Sequence, residues 1–329
     1  MSRPVRWGIL ATGSIARSFA RDLAHVPGAE LAAVGSRRTD KAEEFAREHG
    51  VARAHGSYQD LVDDPDVDVV YVATPHALHL ADARLAFEAG KHVLCEKPLT
   101  LNTAEAEEMV RLAGEHDRFL MEGMWMACHP VVRALRDGLA AGRFGTPRQV
   151  HADLGFFVDR PPTDRLVDPA LGGGALLDMG VYPLTFAHLV LGPAEQLVAT
   201  ADLAGSGIDV DIAIAARYAG GAVAALTSSM TSWSPRTATI ATSEGLLEVH
   251  RSFHHPPYAT WTPGDGEPER VEGREPLLGT GLGNEAAEVQ RCLHEGLRES
   301  PLVPHEQTLT LMRQMDELRR QVGVRYPSD

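Results

Sequence analysis

The chain has 329 residues, 44% of them hydrophobic and 23% charged, which is typical of soluble globular proteins and long enough for two domains. Its net charge of −14, from 31 basic and 45 acidic residues, argues against nucleic-acid or anionic-lipid partners. Three cysteines without paired spacing, no signal-peptide pattern and no run of about 18 apolar residues favour a cytoplasmic protein without a membrane segment.

Strand and helix patterns alternate over the first part of the chain. Short, almost continuously apolar strands separated by helices are typical of a parallel sheet covered on both faces. We therefore predict a doubly wound α/β (Rossmann) domain over residues 1–123. Its predicted strands are 7–10, 31–35, 67–74, 92–96 and 119–121, and its predicted helices are 14–25, 41–49, 77–89 and 103–116.

The rest of the chain, residues 124–329, has strands that follow one another with few helices between them. This order predicts an α+β domain with a large, mainly antiparallel open sheet. Gly220-Gly221 predicts a tight hairpin turn, and residues 254–276 suggest an irregular or mobile surface stretch. The predicted strands are 148–158, 196–203, 210–218, 222–231, 237–242 and 246–250, and the predicted helices are 175–191, 284–299 and 305–322.

Several strands of this second domain carry small apolar residues on both faces, as in "IAIAARYA" and "AVAALTSS". One face has to meet the helices of the domain, and the other is too apolar to remain in contact with water. We therefore expect a partner subunit to cover this face of the C-terminal sheet.

The turn after the first strand reads Ala11-Thr12-Gly13-Ser14-Ile15-Ala16, a variant of the G-x-G-x-x-A dinucleotide fingerprint with alanine first. Gly13 holds the position where the backbone approaches a pyrophosphate, and a helix from Ser14 would offer free N–H groups to it. Ala11 fits the turn only if its φ is negative. The alternative is an ordinary βα turn.

The second predicted strand is followed by Ser36-Arg37-Arg38. A domain specific for NAD usually has an Asp or Glu here, which binds the ribose hydroxyls and would repel a 2′-phosphate. A serine hydroxyl and two guanidinium groups would bind that phosphate instead. The motif predicts NADP as cofactor; the alternative is a solvated basic turn.

Three segments together resemble one family: "GILATGSIA", "TPHALHLADARLAFEAGKHVLCEKPLTLN" and "GGGALLDMGVYPL". The chain resembles the Gfo/Idh/MocA oxidoreductases over essentially its whole length, with Glu96-Lys97-Pro98 as the most specific piece. "MEGMW", "RLVDPALGGGALLDMGVYPL" and "LRRQVGVRYP" resemble more narrowly its dimeric dihydrodiol and D-xylose dehydrogenase branch.

This resemblance implies a hydride-transfer site between a Rossmann domain and a C-terminal domain whose sheet commonly forms the dimer interface. It implies Lys97 as the catalytic lysine and Asp178 and Tyr182 as its partners. It also places Thr74, Pro75, His76 and His79 beside the cofactor. With the loop residues, the expected cofactor-binding set is Ala11, Thr12, Gly13, Ser14, Ile15, Ser36, Arg37, Arg38, Thr74, Pro75, His76, His79, Glu96 and Lys97.

The chemistry of these residues agrees with that assignment. Lys97 stands at the carboxyl end of a parallel strand, where α/β domains bind ligands. Asp178 and Tyr182 are four residues apart, so a helix would place them on one face, and the preceding Gly172-Gly173-Gly174 permits close approach of cofactor or backbone. In isolation these residues would be a surface lysine, a solvated carboxylate and a core aromatic.

Other polar and aromatic residues are weaker candidates. Trp125 and Phe156 are candidates for a substrate pocket or for the core, and Arg165 for binding a substrate oxygen or pairing with Asp168. His76 and His79, with His92 and Cys95, have the spacing of metal-ligand pairs, but separate elements carry them and we expect no metal.

The sequence thus predicts an NADP-dependent dehydrogenase or reductase acting on a hydroxyl or keto carbon of a sugar, cyclic polyol or dihydrodiol. Tyr182 would exchange the proton, Lys97 would hold the substrate oxygen, and Asp178 would orient the pair. One alternative is redox-assisted glycoside cleavage with tightly held NAD, against which Arg37 and Arg38 argue. A non-catalytic NADP-binding sensor is another; Lys97 and Tyr182, both present, argue against it.

Overall fold

The computed structural model describes residues 3–327 and residue 329. Two compact units divide the chain. The first unit contains the residues up to Cys128 together with Leu277–Leu309. The second unit contains His129–Pro276 and Thr310–Asp329.

The first unit is built on a six-stranded sheet in the order β3-β2-β1-β4-β5-β6, in which every paired strand is parallel. The chain turns from one side of β1 to the other between β3 and β4, which creates the crevice where such sheets bind ligands. The predicted Rossmann architecture is confirmed. Its strands are β1 Val5–Leu10, β2 Ala29–Gly35, β3 Arg53–His55, β4 Val69–Val72, β5 His92–Glu96 and β6 Leu120–Gly123.

Helices cover this sheet because its strands are apolar on both faces; all four residues of β4 are buried. Phe19 of α1 stacks on Tyr71 of β4, with ring centroids 3.8 Å apart. The five-residue helix α3 and the helix α6 carry too few periodic positions to be predicted. The helices are α1 Ser14–Leu23, α2 Thr39–His49, α3 Tyr58–Val62, α4 His79–Glu88, α5 Thr103–Glu115, α6 Trp125–Cys128 and, further along the chain, α9 Leu282–His294.

The second unit contains an eight-stranded sheet in the order β14-β13-β12-β11-β7-β10-β9-β8. Only the pair β7–β10 is parallel within the described residues, so the mainly antiparallel sheet is confirmed. The strands are β7 Pro147–Gly155, β8 Ala194–Leu203, β9 Asp209–Tyr218, β10 Val223–Ser229, β11 Ala238–Thr242, β12 Gly245–Val249, β13 Ala259–Pro263 and β14 Glu269–Val271.

Three further helices have residues in this unit: α7 Pro130–Ala140, α8 Val181–Leu191 and α10 His305–Val322. Helix α10 begins in the first unit and ends in the second. Helix α8 packs on β7 and β10. The segment Pro169–Leu191 is long and apolar enough to cross a membrane, but 78% of its apolar window is buried inside the protein, as in a core helix.

The expectation of an irregular stretch over residues 254–276 is wrong, because that stretch contains β13 and β14. Ala259 and Trp261 alternate inward, and Trp261 packs on Phe144 with ring centroids 5.1 Å apart. The alternation of buried and exposed residues in β13 is only five residues long and is flanked by Pro and Gly, so the sequence pattern did not predict a strand there. The predicted hairpin turn is present, with φ of 72° at Gly220 and 80° at Gly221.

Glu285 is the most deeply buried acid of the first unit. It lies in α9, its side chain is 0% exposed, and neither carboxyl oxygen has a hydrogen-bond partner. Burial raises the pKa of Glu285 well above its ordinary value, and the nearby charges of Glu96 and Asp22 raise it further. Asp22 itself anchors the start of α9, since its Oδ2 accepts from the backbone N–H groups of Thr280 and Leu282.

Glu285→Met should stabilise the protein more at pH 8 than at pH 4. Below the unfolded-state pKa of about 4.3 both states hold the proton. As pH rises above that value the unfolded state ionises while folded Glu285 stays neutral, so wild-type stability declines until the raised folded pKa is reached. Met removes both this proton linkage and the unpaired oxygens. We expect it to raise the free energy of unfolding at pH 8 by on the order of 1–3 kcal/mol.

Thermal unfolding at pH 4, 6 and 8 checks this, with Glu295→Met, at the exposed end of the same helix, as control. A stability difference between Glu285→Met and wild type that does not change with pH would contradict it.

Candidate functional site

The phosphate-loop candidate joins β1 to α1. Ala11 has φ 94°, in the region that favours glycine, so the expectation of a negative φ at this position is wrong. The Ala11 N–H donates to the Gly35 carbonyl oxygen at 3.0 Å, which holds the turn against β2. This hydrogen bond holds the turn in place and so helps to stabilise the strained backbone conformation of Ala11.

Gly13 is the residue before the first turn of α1. Its backbone is extended, and a Cβ placed on it would meet nothing within 4 Å. No acidic residue lies in the first turn of α1. This helix start therefore offers open space, free N–H groups and a positive dipole end, and it fits the pyrophosphate of a dinucleotide.

Basic side chains follow β2. Arg38 makes two hydrogen bonds to Asp40, at 3.0 and 2.6 Å, and both side chains are exposed. The guanidinium of Arg37 lies near Tyr58 and Asp82, where it counteracts the rise that burial causes in the pKa of both groups. Ser36 is buried, and its Oγ accepts from the Arg38 N–H at 3.3 Å. These groups fit a phosphate on the ribose, provided that Arg38 exchanges Asp40 for it.

The turn after β4 carries Thr74, Pro75, His76 and His79. His79 is fully buried. Its Nε2 lies 2.9 Å from the backbone carbonyl oxygen of Thr74, and its Nδ1 lies 3.1 Å from the backbone carbonyl oxygens of both Pro98 and Leu99. The Thr74 hydroxyl donates to Asp82 at 2.7 Å. His79 therefore ties the loop after β4 to the loop after β5.

Lys97 follows directly on β5. The preceding Glu96 is buried, accepts a hydrogen bond from the Tyr71 hydroxyl, and accepts the Lys97 backbone N–H at 3.2 Å. Tyr71 is in turn stacked on Phe19 of the helix that follows the phosphate loop. The Lys97 side chain is partly exposed. The buried Glu96 thus fixes the backbone at Lys97, whose side chain is only partly buried.

Asp178 and Tyr182 lie in the second unit. A π-helical turn, Leu176–Gly180, carries Asp178 and runs directly into α8, which carries Tyr182. Single π-helical turns occur often at functional sites. Asp178 accepts from Arg165 at 2.9 Å, whereas Asp168 accepts from the Ala170 N–H. The Tyr182 ring packs on His254, with centroids 4.8 Å apart.

The glycine run before this turn serves close backbone packing. A Cβ on Gly173 would lie 2.8 Å from the Leu166 oxygen, and one on Gly174 would lie 2.5 Å from Asp209. Asp209 is fully buried and accepts the Leu176 N–H at 2.6 Å; burial raises the pKa of Asp209 to about 6. The π-helical turn is therefore anchored at its start by a buried carboxyl group.

The pocket candidates have different environments. Trp125 begins α6 and is partly buried in the first unit. Phe156, in the second unit, is partly buried under Arg236, whose guanidinium lies 5.4 Å from the Phe156 ring and 5.2 Å from the exposed Trp233 ring. Arg236 and Trp233 were not predicted.

Sequence reasoning also missed the buried acids Asp82, Glu122 and Asp209. Glu122 lies in β6 beside the strand that leads to Lys97. An acid at the carboxyl end of a predicted buried strand is the signal that could have identified it. Asp82 and Asp209 become identifiable only when their neighbours are known.

Comparisons with known proteins agree with this architecture. Residues 5–124 match the model of the Gfo/Idh/MocA oxidoreductase family with an NAD-binding Rossmann fold, and residues 132–248 match the C-terminal domain of that family. Trans-1,2-dihydrobenzene-1,2-diol dehydrogenase of Mus musculus is 35% identical over 339 residues, covering 99% of each chain.

Two solved structures are similar along nearly the whole chain. Aldose-aldose oxidoreductase from Caulobacter crescentus, complexed with glycerol, has a TM-score of 0.89, 25% identity and 98% coverage of each chain. A 3-ketoreductase from Actinomadura kijaniata, in complex with NADP, has a TM-score of 0.86 and 29% identity, covering 97% of this chain and 98% of its own.

Ala11→Gly should stabilise the protein by about 1 kcal/mol, because release of the positive-φ strain exceeds the extra entropy of glycine in the unfolded chain. Urea unfolding measures the gain. Ala16→Gly is the matched control: it lies within helical backbone and should lose about 1 kcal/mol or more. Destabilisation by Ala11→Gly would show that the turn is not strained.

Proposed function

Because the chain belongs to the Gfo/Idh/MocA family of oxidoreductases, we propose that it is an NADP-dependent dehydrogenase or reductase. The substrate is a sugar, cyclic polyol or dihydrodiol that reacts at a hydroxyl or keto carbon. The observation that carries the proposal is the position of Lys97, directly after β5 of a Rossmann sheet, on backbone held by the buried Glu96.

The substrate class rests on what the similar proteins are named for. One acts on a dihydrodiol, one on aldoses, and one is a 3-ketoreductase. We infer from these names that the shared chemistry is the exchange of a hydroxyl and a carbonyl group. This is the reaction class that the candidate residues of this chain can serve.

The cofactor preference rests on Ser36, Arg37 and Arg38. Two guanidinium groups and one hydroxyl follow β2, and Asp40 is an exposed partner that Arg38 can release at little cost. A 2′-phosphate carries more charge than a single carboxylate and accepts two or more charge-assisted hydrogen bonds. These features support NADP over NAD.

The chain's own residues divide the chemistry as follows. Bound NADP supplies the nicotinamide that exchanges hydride with the substrate carbon. Tyr182 accepts the substrate hydroxyl proton at its Oη, or donates it in the reverse direction. Since a phenol has a pKa of about 10, it needs a cation, and we assign that role to the Lys97 ammonium, which also holds the substrate oxygen. Asp178, paired with Arg165, orients Tyr182.

We assign the enzyme to the cytoplasm as a homodimer. The three cysteines are buried free thiols, as a reducing compartment permits. In β9 and β10 alternate residues are exposed, including Ala213, Ala215 and Val223, and Val198 of the neighbouring β8 is 55% exposed. A second copy covering this face would remove that apolar surface from water, and sedimentation equilibrium tests for it.

Wild-type enzyme should reduce NADP⁺ with at least one compound in a screen of aldoses, inositols and dihydrodiols. Lys97→Ala should lower kcat at least about 1,000-fold while the NADPH dissociation constant stays within about twofold, because the lysine acts on the reacting oxygen. Lys41→Ala, an exposed lysine paired with Glu44, is the control and should match wild type.

Unchanged turnover in Lys97→Ala would overturn the assignment of the lysine. Glycoside cleavage without net NADPH formation would instead indicate the redox-assisted reaction. Cofactor binding without any turnover would indicate a sensor.

Arg37→Ala and Arg38→Ala should each raise the KM for NADP⁺ about tenfold and leave the KM for NAD⁺ nearly unchanged, because each removes a charge-assisted contact to the 2′-phosphate. Arg47→Ala, exposed on α2, is the matched control. Equal losses with NADP⁺ and NAD⁺ would rule out 2′-phosphate recognition by these arginines.

A further inference from the structure

The Lys97 turn, residues 96–99, is held by buried side chains from three elements. Glu96 accepts the Lys97 N–H, His79 lies against the Pro98 and Leu99 oxygens, and the Leu99 N–H donates to Glu122 Oε1 at 3.2 Å. Glu96 and His79 belong to segments already assigned to the cofactor site. Glu122 lies in the segment "MEGMW", but no role has been assigned to it.

Glu122 lies in β6, opposite Cys95 in the parallel pairing of β5 with β6, and only 4% of it is exposed. Its second oxygen, Oε2, accepts from the hydroxyl of Thr308 at 2.8 Å. Thr308 is buried in the first turns of α10, and His305, at the start of that helix, lies 2.9 Å from the Leu120 oxygen. Both carboxyl oxygens of Glu122 are thus engaged, one by the Lys97 turn and one by α10.

A buried carboxyl group is costly, and its charge state here responds to the site. Burial raises the pKa of Glu122 to about 7. The hydrogen bonds from Thr308 and Leu99 and the Lys97 ammonium oppose that rise, and the carboxylate of Glu96 adds to it. These groups lie on β5, the turn that follows it and α10; the buried Cys95 thiol, whose pKa the charge of Glu122 helps to raise, lies opposite on β5. A Leu at this position would fill the same space without the desolvation cost.

We propose that Glu122 is a positioning residue of the hydride-transfer site: it fixes the backbone of the Lys97 turn through Leu99, places a negative charge near the Lys97 ammonium, and is itself held by Thr308. This inference rests on the proposed function. The ionised carboxylate is the competent form, so the rate of turnover declines as the medium becomes more acidic than about pH 7.

Glu122→Gln separates charge from shape. Its amide oxygen still accepts the Leu99 N–H, and its NH₂ group donates to the Thr308 hydroxyl, so only the charge is lost. We expect kcat to fall about 10- to 100-fold with the NADPH dissociation constant within about twofold, and the limb of the pH–kcat profile near pH 7 to disappear. Thr308→Val should lower kcat about threefold, and the conservative Thr308→Ser should restore it.

Hydrogen exchange of a peptide covering residues 96–101 gives a readout independent of turnover. Glu122→Ala should speed exchange of the Leu99 amide at least tenfold, whereas Glu122→Gln should not, and thermal unfolding identifies any variant that fails to fold. A wild-type pH profile retained in Glu122→Gln, with kcat within twofold, would overturn the inference. Wild-type enzyme without hydride transfer, but with faster Leu99 exchange in Glu122→Ala, would refute the proposed function and leave the Glu122–Leu99 contact supported.

Discussion

Parallel pairing of β4, β5 and β6 is the constraint on which the rest of the first unit depends. Because the three strands run in the same direction, their carboxyl ends meet at one edge of the sheet. Thr74, the Glu96–Lys97 pair and Glu122 belong to segments far apart in the chain, and the pairing places them side by side. Apart from Glu96, the groups that the sheet places near Lys97 come from distant parts of the chain.

The first unit also contains several buried carboxyl groups. Glu96, Glu122 and Glu285 are each 5% exposed or less, in a protein whose net charge is already −14. Burying a carboxyl group is costly, and the pKa values of Glu122 and Glu285 rise accordingly. Glu96 directly precedes the lysine assigned to catalysis, and Glu122 lies near enough for the Lys97 ammonium to oppose the rise in the pKa of its carboxyl group.

The second unit also contains a buried carboxyl group that holds candidate site residues in position. Asp209 is a buried carboxyl group that accepts the Leu176 N–H and sits against Gly174, so it fixes the π-helical turn that carries Asp178. Tyr326 donates to the Gly173 oxygen at 2.9 Å and holds the other side of the same glycine run. The glycines therefore serve packing: any side chain there would displace the turn and the two candidate residues that follow.

The sequence alone determined the Rossmann and antiparallel sheets, because apolar runs of period two and 3.6 with Gly and Pro between them are local signals. It also nominated Gly13 and Arg37 from local motifs, and Lys97, Asp178 and Tyr182 through the family resemblance, as candidate site residues. Local pattern could not reveal the positive φ of Ala11, the strands between 254 and 276, the partners of Glu122 and Asp209, or the burial of Glu285. Those were decided by tertiary structure, because strand pairing and burial join residues distant in the chain, and the cost of an enclosed charge depends on everything packed around it.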